Sequence, residues 1–225
     1  MKRHALSTRL WHWLNALCLI GLVMSGLTIS NAHPWLYWGE AGFAAEEAWT
    51  AVPRFSDWMT IPGYYNLALA RDWHNLLAWP FALGLLAIWF VMLLNGHFRR
   101  DIATRLAQWR DGTLTRELRQ YVRMEKHARA TPGRYGFIQR IAYGGVFGIL
   151  LPGMVLTGIA ISPGMGPSFG WIADLVGGRQ SARSLHFMIA ALLTGFTIGH
   201  IVLAFAAGPR RMIGAMITGR SADEA

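Results

Sequence analysis

The sequence contains one cysteine, Cys18, among its 225 residues. A lone thiol closes no disulfide within the chain, and it supplies neither a CxxCH attachment motif nor the ligands of a cysteine-held iron–sulfur cluster. Any bound redox centre must be held by other side chains. Acidic residues are also scarce, 12 against 21 Lys and Arg, and charged residues of both signs make up only 15% of the chain. The basic excess flanks apolar runs instead of gathering in a separate domain, so nucleic acid is not the expected partner. What remains is apolar: 53% of residues are hydrophobic, with 11 Trp and 25 Gly. That composition fits a helical membrane protein, in which Trp gathers at interfaces and Gly lets helices approach closely.

Four apolar runs, about 10–30, 73–95, 137–161 and 185–207, are long enough to cross a hydrocarbon core of about 30 Å. The first follows Lys2, Arg3 and Arg9 and is too long for a signal peptide; it also carries His12, so it reads as a retained span. Pro80 is expected to kink the second span or to sit in its first turns, and Pro152-Gly153 to kink the third. The expected fold is therefore all-α, a single integral membrane four-helix bundle over residues 1–225.

The loops differ in charge. Residues 97–136 hold nine Arg and one Lys against four acidic residues, whereas 31–70 hold Glu40, Glu46, Glu47 and Asp57 against Arg54 alone. Basic loops stay inside. Both termini and the 97–136 loop are therefore expected in the cytoplasm, with 31–70 and 162–183 outside. Ile102, Leu106 and Trp109, then Leu114, Leu118, Tyr121 and Val122, recur at helical spacing. They fit amphipathic helices on the membrane surface or a solvated helical hairpin. The aromatic stretch Pro34-Trp35-Leu36-Tyr37-Trp38, with Trp49, fits a segment lying at the interface or against a partner. Residues 162–180 read as a Gly/Pro-rich connection, and the residues after Pro209 as a short basic tail.

Histidines occupy the spans. His186 and His200 are 14 residues apart in the last run, close to four turns, so they share a face roughly 21 Å apart in depth. An imidazole at membrane depth is costly without a partner. With the orientation above, His12 and His200 lie at the cytoplasmic level, and His74 and His186 at the exterior level. Two ligands at each level suit bis-histidine haem b, whereas zinc or copper usually takes three or four ligands in one cluster. Arg9, Arg71 and Arg183 each stand three residues before one of these histidines, on the same helix face. Each is placed to meet a haem propionate, though Arg9 also serves as an ordinary positive-inside flank. Gly26, 14 residues after His12, and Gly195, between His186 and His200, either leave room for a macrocycle or pack helices closely. His4, His33, His97 and His127 lie in tails or loops and read as solvated or interfacial, a proton relay near a quinone being the one exception.

These residues resemble a known family. Arg9-Leu-Trp-His-Trp-Leu-Asn15, Trp73-His74-Asn75, Tyr135-Gly-Phe-Ile-Gln139 and the Leu185-His186…Gly199-His200 pair are similar to the bacterial cytochrome b561 group. That group includes the cytochrome b subunits of nickel–iron hydrogenase, formate dehydrogenase and thiosulfate reductase. The stretch Pro34-Trp-Leu-Tyr-Trp-Gly39 resembles the subgroup associated with thiosulfate reductase and molybdopterin oxidoreductases. The resemblance implies two b haems on the four matching histidines and electron exchange between quinone and a partner protein.

The expected activity is electron transfer between the quinone pool and an exterior redox subunit or c-type cytochrome, in the bacterial inner membrane. The alternative is a stand-alone dihaem quinone oxidoreductase acting on superoxide or ferric iron. Quinone is expected at the inner level, where Arg9, Trp13 and Asn15 flank His12 and the 101–126 segment could roof a pocket; the resemblance to formate dehydrogenase subunits favours the same level. Reporter fusions at Glu47 and Arg116 should report opposite sides of the membrane; the same side for both would undo the pairing by depth.

Overall fold

The computed structural model describes residues 6–96, 109, 112–122, 136–206 and 208–219. The elements, in chain order, begin with α1 (Leu6–Ala32), then a two-stranded antiparallel ribbon, β1 (Trp35–Leu36) with β2 (Thr50–Ala51). They continue with α2 (Leu67–Leu94), α3 (Thr113–Val122), α4 (Phe137–Ile161), α5 (Gly166–Leu175), α6 (Arg179–Ala206) and α7 (Pro209–Thr218). Four of these, α1, α2, α4 and α6, are long and apolar enough to cross a membrane. The chain divides into two compact units, Met1–Leu85 with Met154–Ala225, and Leu86–Gly153.

In the first unit the usual helix pattern is inverted. The buried face of α1 is Asn15, Cys18, Gly21, Leu22, Ser25 and Thr28. Its large apolar residues, Leu10, Leu14, Leu17 and Ile20, are exposed. Lipid tails are as apolar as leucine, so a membrane helix gains nothing by hiding leucine; small and hydroxyl side chains make the contact instead. Proline is absorbed in the helices it enters. Pro80 lies mid-way along α2, because that helix starts at Leu67, six residues before the expected boundary. Ahead of Pro152, residues Val146–Leu150 form a π-turn. The wider turn accommodates a residue that offers no N–H and crowds the preceding carbonyl.

The 33–66 segment folds back on the first unit. Asn31 clamps Phe55 in both directions, its Nδ2 donating to the carbonyl at 2.9 Å and its Oδ1 accepting the amide at 2.8 Å. Thr28 Oγ1 donates to Ile61 O at 3.0 Å, and Ile61 N donates to Met24 O at 3.2 Å. The segment also caps α6. Gly39 O accepts the amides of Gln180 and Ser181 at 3.0 and 3.1 Å, and a Glu40 carboxylate oxygen accepts Arg179 N at 2.8 Å. Free amides at a helix start need such acceptors, and a carboxylate there is favoured by the helix dipole. This cap extends α6 through Arg179–Ser184, mostly polar residues that lie outside the apolar run. Gly178 makes the approach possible: its φ is +114°, and a Cβ there would lie 2.6 Å from Glu40 N and from Gly39 C and O.

Two connections are more ordered than expected. Residues Gly166–Leu175 are helical, with Ile172 and Ala173 buried with Ala160 and Ala182. The residues after Gly208 form α7, with Pro209 in its first turn and Gly219 closing it in the left-handed region at φ 78°. Arg9 Nη1 donates to Ile217 O at 2.5 Å and Trp13 Nε1 to Met216 O at 3.3 Å, tying the last turn of α7 to α1.

The second unit contains part of the basic loop. Glu117 of α3 accepts the amides of Phe137 and Ile138, both at 3.0 Å, and so caps α4. Gln139 accepts Gly136 N at 3.2 Å, and Trp109 meets Phe137 edge-on at 5.3 Å. The remainder of the amphipathic 101–126 segment lies outside the described residues, as do His4, His97 and His127.

Candidate metal centres

The two expected histidine pairs are formed. His74 of α2 and His186 of α6 have ring centroids 6.3 Å apart; His12 of α1 and His200 of α6 are 6.4 Å apart. Two metal–imidazole bonds of about 2 Å in line, with the ring radii added, require roughly 6 Å between centroids. Among the described residues no group of three or more His, Cys, Asp and Glu could hold a metal ion, so a zinc-type cluster is not offered.

At the pair nearer the ribbon, the imidazole tautomers follow from their partners. Ser25 Oγ lies 2.7 Å from Gly21 O and 3.1 Å from Leu22 O on its own helix, and 3.0 Å from His74 Nδ1. A hydroxyl has one proton, and the helix carbonyl takes it. Ser25 Oγ therefore accepts from His74 Nδ1–H, which leaves Nε2 as a lone-pair donor. Thr157 repeats the device on α4: its Oγ1 donates to Met154 O at 3.3 Å and meets His186 Nδ1 at 2.9 Å. Holding Nδ1–H in this way is how proteins orient a metal-ligating imidazole. Ser25 and Thr157 were not singled out from sequence, though each lies close to residues that were. Ser25 is next to Gly26, and Thr157 follows Pro152-Gly153 by one turn.

Small residues stand beside the rings. A Cβ on Gly26 would be 3.6 Å from His74 Cε1, and one on Gly158 would be 3.3 Å from His186 Cε1. Gly26 is thus at the level of the His74 pair. A Cβ on Gly195 would meet nothing within 4 Å among the described residues. At the other pair His200 stacks with Phe196 at 6.4 Å, and Trp13 meets His12 edge-on at 5.2 Å.

The three arginines have different surroundings. Arg183 Nη2 donates to Trp35 O, and its guanidinium lies 5.9 Å from the Tyr37 ring centroid; its Nε is buried without a hydrogen-bond partner. Arg71 Nη2 lies 3.3 Å from His33 Nε2. Arg9 is engaged by Ile217 O, and its Nε is likewise buried without a partner. Such orphaned donors fit an anionic group near each pair. The expected quinone donors at the His12 level are occupied by carbonyls: Asn15 Nδ2 by Trp11 O at 2.9 Å, Arg9 Nη1 by Ile217 O and Trp13 Nε1 by Met216 O. Asn15 is buried beside Gly84, whose carbonyl accepts Trp11 Nε1 at 2.7 Å.

Four long apolar helices, three of which carry the two spaced imidazole pairs, describe a multi-pass membrane protein. The sequence matches the prokaryotic cytochrome b561 family over residues 3–219, and the chain belongs to that family. Membership implies haem b and a role in electron transport. It is 27% identical to a probable Ni/Fe-hydrogenase B-type cytochrome subunit of Cupriavidus necator, with 94% of this chain and 82% of that protein aligned. A subunit of the same description from Azotobacter vinelandii is 25% identical, over 87% and 76% of the two chains. A putative protein-methionine-sulfoxide reductase subunit, YedZ1 of Azospira oryzae, is 27% identical over 94% and 93%.

The hydroxyl backing yields a test. Ser25→Ala and Thr157→Val should each weaken haem binding at the His74 pair by about 10–100-fold in a haemin titration, leaving the His12 pair unaffected.

Proposed function

We propose that this protein is a dihaem cytochrome b of the bacterial inner membrane, carrying electrons between the quinone pool and an exterior oxidoreductase. One haem is held by His12 and His200, the other by His74 and His186. The observation that carries the reading is the matched separation of the two pairs, 6.4 and 6.3 Å, with the second pair backed by Ser25 and Thr157. The bound haems supply reversible one-electron chemistry; the chain supplies ligation, spacing and electrostatics. His186 and His200 set the two levels roughly 21 Å apart along one rigid helix. Arg71 and Arg183 hold negative charge at the ribbon end, and Arg9 does so at the other.

The four helices form one bundle in this reading, with both termini and the basic loop cytoplasmic by the distribution of Arg and Lys. The ribbon then faces outward, and the substrate chemistry belongs to a partner on that side. The relatives' descriptions, subunits of a Ni/Fe hydrogenase and of a methionine-sulfoxide reductase, support a partner polypeptide. Quinone is assigned to the His12 level, reached laterally from lipid beside α7. There Asn15 is buried between α1 and α2, beside Gly84.

The test is a set of four variants of the purified protein. His12→Ala and His200→Ala should each lose one haem, and His74→Ala and His186→Ala the other. Quinol should reduce the haems of the unaltered chain, and a quinone analogue should perturb the His12/His200 spectrum first. If His12→Ala and His186→Ala abolish the same haem, the pairing is wrong. If the purified chain alone reduces quinone with superoxide, the stand-alone enzyme is the better description.

A further inference from the structure

We propose that His33 is a proton site coupled to the exterior haem, forming with Arg71 and Arg183 the cradle of one propionate. This rests on the function proposed above. Three segments bring the groups together: His33 directly follows α1, Arg71 comes from α2 and Arg183 from α6. The His33 amide lies 3.1 Å from both Ile29 O and Ser30 O, which pins the residue to the last turn of α1. Arg71 and Arg183 each stand one helical turn before an exterior haem ligand, so the cluster lies directly above that pair.

The charges in this cluster do not balance. An arginine can only donate, so the 3.3 Å contact makes His33 Nε2 the acceptor, with its ring proton on Nδ1. The charged groups that face His33 are Arg183 and Arg71, and the Tyr37 ring lies against Arg183. Among the described residues neither arginine forms an ion pair, and Arg183 Nε is buried without a partner. Partial burial, then the charges of Arg183 and Arg71, hold the His33 pKa below the ordinary histidine value. Two converging cations and a neutral imidazole leave an uncompensated positive region, and a carboxylate fits it.

An anion there reverses the pressure on His33. Protonation converts Nε2 from an acceptor for Arg71 into a second donor, so both groups then point at the same carboxylate. A haem bound at the His74/His186 pair would take one electron from quinol or from the exterior redox protein, and the lost positive charge would raise the proton affinity of His33. One proton from exterior water then binds His33 Nε2. Reoxidation returns the electron to the acceptor and the proton to water. Solvent reaches the ring, which sits at the exposed end of α1, so proton exchange is open.

The experiment is a spectroelectrochemical titration of the two-haem protein between about pH 5 and 8, the range in which imidazoles titrate. The exterior haem's midpoint should fall as pH rises, by about 59 mV in total for each tenfold difference in His33 proton affinity between the two oxidation states. His33→Gln, which keeps an acceptor for Arg71 but does not titrate, should remove the slope. His33→Lys, permanently charged, should give a higher midpoint without slope. The His12/His200 haem should be unchanged in both. A slope that persists in His33→Gln, a flat wild-type profile, or loss of the exterior haem from both variants overturns the inference. A purified wild-type chain without haem instead overturns the proposed function, so the two failures are distinguishable.

Discussion

Each imidazole of the His74/His186 pair gives its Nδ1 proton to a hydroxyl whose own proton is already committed to a helix carbonyl. Within an apolar medium an unsatisfied imidazole is costly, so this arrangement removes half of each ring's polar demand and leaves the other half for a ligand. The consequence runs through α1. A face of small and hydroxyl residues, Gly21, Ser25 and Thr28, allows the helix to approach and to offer its acceptor, while leucine is turned outward. The helix is organised for close approach, and its apolar bulk serves the lipid.

The ribbon segment depends on the same helices and in turn fixes them. Gly39 and Glu40 satisfy the start of α6, and Ser184 Oγ donates to Tyr37 O at 2.7 Å, two residues before His186. The segment therefore sets the position of the helix that carries one histidine of each pair. Trp49 Nε1 reaches Ser184 Oγ at 3.3 Å, and its ring stacks on the exposed Trp38 at 5.4 Å. The surface offered beside the start of α6 is thus aromatic and fixed to that helix.

Much of this was legible in the sequence, because membrane burial makes polar residues conspicuous. The four spans, the four histidines and their pairing follow from hydropathy, the 14-residue spacing and the positive-inside rule. Helix ends were less legible. The cap on α6 comes from residues about 140 positions earlier in the chain, and no local pattern around Arg179 announces it. Ser25 and Thr157 resemble any other small membrane residue until their partners are known. His33 is the loop residue its sequence suggests, but its contact with Arg71 comes from another helix and has no local signature. The α7 helix has its sequence signals, Pro209 and Gly219, but its basic residues obscured its apolar face.

The central claim is that two histidine pairs hold two haems in one chain. The most direct measurement is the haem-to-polypeptide ratio of the purified protein by pyridine haemochrome, with electron paramagnetic resonance of the oxidised sample. The account predicts two b haems per chain, both low-spin and bis-imidazole ligated. One haem per chain, or a high-spin centre with a vacant axial position, would contradict it.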